Sequence, residues 1–210
     1  MKGTLRDSLL AGLFMVLWSL VAGAQEYIEL SPPRPTDDPS KVEVIEFFWY
    51  GCPHCYRFDP YLEEWLKNKP ANVTFRRQPA IFGPHWEPHA RAYYTAEVLG
   101  VLDKIHKDLF DVMHKERKRM TSEEEMADFF AAHGVDKETF NNAFHSFSVE
   151  MKVRQAESIP ASYGITGVPA VVVNGKYLIS GTTTKGFDNM IKVMDDRVKH
   201  ELNGQSTATR

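Results

Sequence analysis

The chain has 210 residues, of which 43% are hydrophobic and 25% are charged, so it can bury a core and is excluded from the disordered class. Its formal net charge of -3 argues against a protein that binds nucleic acid mainly through positive charge. Only two cysteines occur, Cys52 and Cys55, and this count excludes a scaffold held together by several disulfides. One domain, or one domain with an insertion, is expected.

The first 24 residues have the three regions of an export signal. Lys2 and Arg6 precede an apolar run over residues 9–22, and residues 22–24, Ala-Gly-Ala, are small enough for signal peptidase. The run has 14 residues, fewer than the roughly 20 of a membrane-spanning helix. An uncleaved anchor is the main alternative. We therefore predict a cleaved signal peptide over residues 1–24 and export to a compartment where disulfides persist.

Residues 25–80 are predicted to form the first part of an α/β domain. Four prolines make residues 25–41 a surface arm. Residues 42–50, VEVIEFFWY, are β-branched and aromatic over a short run, which favours a buried strand. Pro53 suits the first position of a helix, and residues 73–78 favour a second strand.

Residues 81–147 carry helical signals throughout and predict an inserted helical subdomain. Phe140, Phe144 and Phe147 recur at positions i, i+4 and i+7. This spacing places them on one helix face, in the core of a helical bundle.

Residues 148–200 are predicted to complete the α/β domain. Strands at 169–173 and 177–180 flank Asn174-Gly175, the strongest short signal for a two-residue hairpin. A last helix follows, and the polar residues 201–210 are expected to form a flexible tail.

The reactive chemistry is concentrated in Cys52-Pro53-His54-Cys55. Cysteines at i and i+3 share one face of a helical turn and can close a disulfide, although this spacing alone also permits a metal. Position favours redox chemistry, because Cys52 follows a strand and begins a helix, where free amides and the helix dipole favour a thiolate. His54 would stabilise it further, as a cation or through its ring N–H. A stabilised thiolate makes the disulfide a stronger oxidant.

The two sulfurs are expected to differ in role. Cys52, at the exposed start of the helix, would form the mixed disulfide with a substrate. Cys55, one turn further in, would resolve that intermediate or leave as a thiolate in the oxidative direction. Two buried cysteines that are close by chance would explain neither the export signal nor the helix start.

Two segments resemble the DsbA family of thioredoxin-fold oxidants. Residues 46–56, EFFWYGCPHCY, resemble that family's active-site segment, in which Pro-His separates the cysteines, and residues 167–177, GVPAVVVNGKY, resemble its cis-proline segment and hairpin. The resemblance covers essentially all of the chain after the signal. It implies an α/β, thioredoxin-like fold with an inserted helical subdomain. It also implies a periplasmic protein disulfide oxidoreductase that introduces disulfide bonds into newly exported, unfolded proteins.

The resemblance also implies roles for three further residues. The Val168-Pro169 bond would be cis and would hold the Val168 backbone beside Cys52, where a substrate segment could add as a strand. The residues alone permit a simpler interpretation of Pro169 as a strand-edge proline. Glu46, a charge in an apolar run, would have a raised pKa and move protons to and from Cys55. A structural ion pair is the alternative for Glu46.

The family further implies a monomer without a bound cofactor, reoxidised by a quinone-linked membrane partner of the DsbB type. Four aromatic residues near the motif are expected to form an apolar groove for unfolded segments, although core packing would explain some of them equally well. These are Trp49, Tyr50, Phe82 and Trp86.

Two other functions are considered for the cysteine pair. A zinc module would add His85 and His89, but 29 residues separate Cys55 from His85, more than the ~12 to 15 of a usual finger. A disulfide isomerase or reductase of the same fold is harder to exclude. Exported isomerases usually add a dimerisation domain, for which the 186 residues after the signal leave no room.

Overall fold

The computed structural model describes residues 25–208. The predicted signal peptide, residues 1–24, lies outside the described residues. Between residues 25 and 208, no helix combines the length and the apolar character that crossing a membrane requires.

A five-stranded sheet organises the domain, with strand order β1-β5-β4-β2-β3. The strands are β1 Ile28–Glu29, β2 Val42–Phe48, β3 Val73–Pro79, β4 Ala170–Val173 and β5 Tyr177–Ser180. Strand β2 pairs in parallel with β3 and antiparallel with β4, so it lies inside the sheet. All seven of its residues are buried, which confirms the prediction of a buried strand.

Residues 25–208 contain seven α-helices. They are α1 Pro53–Lys67, α2 Glu87–Val98, α3 Leu102–His114, α4 Glu123–Ala132, α5 Lys137–Phe144, α6 Phe147–Ser162 and α7 Phe187–Ala208. Helices α1 and α7 cover one face of the sheet, where Val44 packs with Phe58 and Met194. The other face buries Ile45 and Phe47 against Tyr163. The element order therefore agrees with an α/β domain interrupted by helices.

The helical region has its own core, and that core continues into α6. Val149 and Val153 of α6 are buried in the same cluster as Phe140 and Phe144, so the packed unit extends beyond residue 147. The prediction that Phe147 shares this face is wrong. Helix α5 ends at Phe144, and the Ser146 hydroxyl caps a new helix, which leaves Phe147 81% exposed.

The hairpin between β4 and β5 is confirmed. Asn174 and Gly175 both have positive φ, 52° and 64°, as a two-residue turn of this kind requires. The prediction of a flexible tail from residue 201 is wrong for residues 201–208, because α7 continues to Ala208. Glu201 is buried against the hairpin and accepts hydrogen bonds from Asn174 Nδ2 at 2.5 Å, Lys176 Nζ at 2.6 Å and Tyr177 Oη at 3.2 Å.

These bonds predict that Glu201 stabilises the fold. Burial raises the pKa of its carboxyl, but the bonds from Lys176 and Asn174 outweigh burial and lower it below its ordinary value. Glu201→Ala should reduce the free energy of unfolding by about 1–3 kcal/mol, because it removes the acceptor of three hydrogen bonds, one of them from the buried Tyr177 hydroxyl. Urea unfolding measures the change. Asp196→Ala, on the exposed side of α7, is the matched control and should stay within about 0.5 kcal/mol of the parent. Equal losses in both variants would contradict the assignment.

Candidate active site

The turn after β2 places Cys52 at the start of α1. The Cys52 N–H donates to Trp49 O at 3.0 Å, and Cys52 is the N-cap of the helix, with φ −87° and ψ 115°. Pro53 occupies the first helical turn, as predicted. A Cβ at Gly51 would overlap the Trp49 indole, so this turn requires glycine.

The Cys52 sulfur is held in a setting that favours its thiolate. The backbone N–H of Cys55 donates to Cys52 Sγ at 3.4 Å. The pKa of Cys52 falls to about 6, chiefly through a hydrogen bond from the Cys55 thiol. Burial opposes this shift, while the backbone N–H groups of Cys55 and His54 add to it. Cys52 keeps 7% of its surface exposed.

Cys55 has the opposite character. It is completely buried, and burial, reinforced by its contacts with Cys52, raises its pKa well above the ordinary value. Both cysteines are free thiols in this structure. At neutral pH, Cys52 is thus the sulfur that is ionised and the more exposed of the two, and Cys55 is the one that is protonated and fully buried.

His54 is exposed, and its ring lies beside another side chain of α1. The ring nitrogen Nδ1 is 3.0 Å from Arg57 Nη2. The contribution of His54 to the pKa of Cys52 comes from its backbone N–H, with the positive charge of Arg57 as a further cause. The sequence predicts a role for the imidazole and none for Arg57, although the place of Arg57 on the helix that follows Cys52 is a usable signal.

Glu46 lies beneath α1 in a buried cluster of charges. Its carboxylate accepts from Arg77 Nε at 3.1 Å, and Arg77 Nη2 also contacts Asp59 Oδ1 at 3.2 Å. Burial raises the pKa of Glu46 to about 7, although Arg77 lowers it in part. The expected pKa shift and the alternative ion pair are therefore both present. Arg77 was not predicted, because only the pairing of Glu46 with Arg77 across β2 and β3 brings them together.

The cis-proline segment lies against Cys52. The Val168-Pro169 bond is cis, in agreement with the family expectation, and the Cys52 thiol donates to Val168 O at 3.5 Å. A cavity of about 420 Å³ opens beside this contact. Its lining includes His54, Ile165, Val168, Leu178 and Phe187. The cavity could not be predicted from the sequence, because its walls come from separate parts of the chain.

The predicted aromatic groove is only partly present. Tyr50 is 1% exposed and belongs to the core of the helical region, so its assignment to a surface groove is wrong. Trp49 and Trp86 stack with ring centroids 4.1 Å apart, and Phe82 packs edge-on against Trp86 with 43% of its surface exposed. These three residues form an aromatic cluster at the turn.

The histidines of the zinc alternative have other partners. Trp49 Nε1 donates to His89 Nδ1 at 2.8 Å, and His89 Nε2 donates to Arg119 O at 2.9 Å. Both ring nitrogens of His89 are therefore occupied. Across residues 25–208, no three His, Cys, Asp or Glu side chains converge as metal ligands would.

The difference between the two sulfurs predicts selective alkylation. Iodoacetamide should modify the reduced protein at Cys52 alone, with a half-maximal rate near pH 6, because the thiolate is the nucleophile. The rate rises with pH as the thiolate fraction increases, and peptide mapping identifies the site. Cys52→Ser is the control and should react slowly at pH 7, since Cys55 is buried. A midpoint near the ordinary value of 9.0 would contradict the prediction.

Comparisons with known proteins agree with this geometry. Residues 86–191 match the family model described as a DSBA-like thioredoxin domain. The chain is 42% identical over 181 residues to the thiol:disulfide interchange protein DsbA of Azotobacter vinelandii, covering 86% of this chain and 85% of that protein. The DsbA of Pseudomonas aeruginosa is 43% identical over 177 residues, or 84% of each protein.

Solved structures show the same fold. The crystal structure of Pseudomonas aeruginosa DsbA superposes with a TM-score of 0.82 at 41% identity, covering 89% of this chain and 95% of that one. DsbA from Xylella fastidiosa superposes with a TM-score of 0.79 at 33% identity, covering 85% and 96%. The predicted α/β, thioredoxin-like fold with an inserted helical subdomain is confirmed. The chain belongs to the DsbA-like thioredoxin family of disulfide oxidoreductases.

Proposed function

We propose that this protein oxidises newly exported proteins in the periplasm by donating its Cys52-Cys55 disulfide to them. The observation that carries the proposal is the position of Cys52 Sγ, at a helix start and beside Val168 O, with a pKa of about 6. A sulfur that is stable as a thiolate leaves readily, so the disulfide it forms is a strong oxidant.

The reaction proceeds through a mixed disulfide. A client thiolate attacks Cys52 Sγ, the bond between Cys52 and Cys55 breaks, and Cys55 leaves with the electron pair. A second client thiolate then attacks the client sulfur of the mixed disulfide and releases Cys52 as a thiolate. The client loses two electrons and two protons in forming its disulfide. The cysteine pair gains the two electrons.

Glu46 supplies the proton that Cys55 needs in this scheme. Cys55 has a raised pKa in its buried site and must be protonated as it leaves. The pKa of Glu46, about 7, lets its carboxyl give or accept a proton near neutral pH, and its negative charge contributes to the raised pKa of Cys55. Arg77 holds the carboxylate in place.

The cavity beside Val168 is the proposed client site. Apolar side chains such as Ile165 and Phe187 suit an unfolded segment, while His54 lies at its edge next to the reactive sulfur. An extended client would hydrogen-bond to the backbone of the Val168-Pro169 segment. The protein would act as a monomer without a cofactor, and a quinone-linked membrane partner of the DsbB type would reoxidise it.

Equilibration with glutathione buffers tests the direction of the reaction. The disulfide should be markedly more oxidising than that of thioredoxin, because the folded state favours the Cys52 thiolate. Cys52→Ser should abolish oxidation of a reduced peptide. Cys55→Ser should instead accumulate a mixed disulfide between Cys52 and glutathione, which forms when the Cys52 thiolate attacks oxidised glutathione and releases one reduced glutathione. A potential as reducing as that of thioredoxin would instead indicate a reductase. Oxidation by the Cys52→Ser protein would refute Cys52 as the nucleophile.

Glu46→Gln tests the proton role. At pH 7 the rate of peptide oxidation should fall about tenfold or more, because the amide cannot transfer a proton. The rate should also lose its pH dependence near 7, where the carboxyl titrates. Glu63→Gln is the matched control, since Glu63 contacts the same Arg77 but is half exposed. Equal slowing in both variants would show that the charge cluster, rather than proton transfer, is responsible.

A further inference from the structure

We propose that one face of α3 positions the active-site turn and thereby determines how strongly the Cys52 sulfur is stabilised. This face consists of His106, Phe110 and His114, one residue per helical turn, and is called the α3 stripe below. Only the expected effect of the α3 stripe on client oxidation rests on the proposed function. The positioning itself is a property of the folded chain.

The α3 stripe contacts both the side chain and the backbone of Tyr50. His106 Nδ1 lies 2.8 Å from Tyr50 Oη, and the Phe110 ring packs edge-on against the Tyr50 ring at 4.9 Å. His114 Nε2 donates to the Tyr50 carbonyl oxygen at 2.7 Å. Tyr50 lies two residues before Cys52, so the stripe holds the chain where it enters the motif.

The same helix holds the chain where it leaves the motif. The His114 ring stacks on Tyr56 with centroids 4.7 Å apart and planes 10° apart. Tyr56 Oη donates to Asp111 Oδ1 at 2.8 Å. Tyr56 directly follows Cys55. Helix α3 therefore contacts both flanks of the motif, and His114 contributes to both contacts.

The turn depends on such an external support because of Gly51. The Trp49 indole excludes any side chain at position 51, and glycine leaves the adjoining peptide free to adopt many conformations. The bond from His114 Nε2 fixes the carbonyl oxygen of the peptide that joins Tyr50 to Gly51. It therefore restrains the turn at the point where the sequence restrains it least.

The geometry of the turn controls the surroundings of the sulfur. Cys52 caps α1 only while its N–H donates to Trp49 O and its backbone stays extended. In that conformation its sulfur accepts the Cys55 N–H at 3.4 Å. A turn released from α3 would sample conformations in which this bond is longer or absent, and the thiolate would lose stabilisation. His114 is thus a positioning residue, without contact with the reacting atoms.

Two substitutions at His114 separate the hydrogen bond from the packing. His114→Phe keeps a ring to stack on Tyr56 but removes the donor, whereas His114→Gln keeps an N–H donor at the place of Nε2. His114→Phe should shift the glutathione equilibrium about 3- to 10-fold towards the disulfide and raise the pKa of Cys52, measured by thiolate absorbance. His114→Gln should restore most of both values.

His133→Phe is the matched control. His133 Nδ1 donates to Phe129 O at 2.7 Å at the end of α4, and its Nε2 contacts the exposed Asp108 of α3 at 3.1 Å. The change therefore removes the same kind of bond, and a contact with α3, without touching Tyr50 or Tyr56. It should lower stability in urea unfolding without moving the equilibrium or the pKa of Cys52. An unchanged equilibrium in His114→Phe would overturn the inference. Equal shifts of the glutathione equilibrium in His114→Phe and His114→Gln would also overturn it. The same holds for equal shifts in His114→Phe and His133→Phe. A parent protein as reducing as thioredoxin would refute the proposed function alone, because the ratio of variant to parent would still test the stripe.

Discussion

The complete burial of β2 is the constraint on which the site depends. The strand lies between β3 and β4 in the sheet and is covered on both faces, so it has no freedom to shift in register. Its end therefore has a fixed position, and the four-residue turn that follows places Cys52 at the first turn of α1. The same strand carries Glu46, whose side chain faces α1 because Glu46 alternates with Ile45 and Phe47. The positions of the Cys52 sulfur and of the Glu46 carboxyl are thus both determined by β2.

The helical region forms part of the active site rather than a separate attachment. Cys52, Cys55 and Tyr50 are buried in the same apolar cluster as Phe110 of α3 and Phe130 of α4. The thioredoxin-like part provides the helix start and the Val168 carbonyl on one side of the sulfur. The inserted helices support the turn from the other side, through Tyr50 and Tyr56. The reactive sulfur consequently lies at the junction of two packed units.

The sequence predicts the features that depend on neighbouring residues. The strand before Cys52, the helix start at Pro53 and the Asn174-Gly175 turn all follow from local steric and hydrogen-bonding preferences. Arg77 and His114 could not be predicted, because their partners become neighbours only when distant segments pack. The prediction of a flexible tail from Glu201 was wrong for the same reason. The polar sequence there is typical of a flexible end, and only the folded structure brings Glu201 to its partners in the hairpin. Phe147 was predicted wrongly for a different reason. Its helical spacing from Phe140 and Phe144 continues across the boundary between α5 and α6, so the spacing no longer places it on their face.

The lowered pKa of Cys52 has a consequence for the stability of the whole fold. In the unfolded chain this thiol has its ordinary pKa of 9.0, so folding stabilises the thiolate by roughly 1 to 2 kcal/mol at pH 7. That contribution is complete above pH 9 and disappears as the pH falls through 6. The disulfide form lacks it, and closing the Cys52-Cys55 bond therefore forfeits a stabilisation that the reduced protein keeps. Through this cycle, part of the free energy of folding drives electrons from the client into the protein.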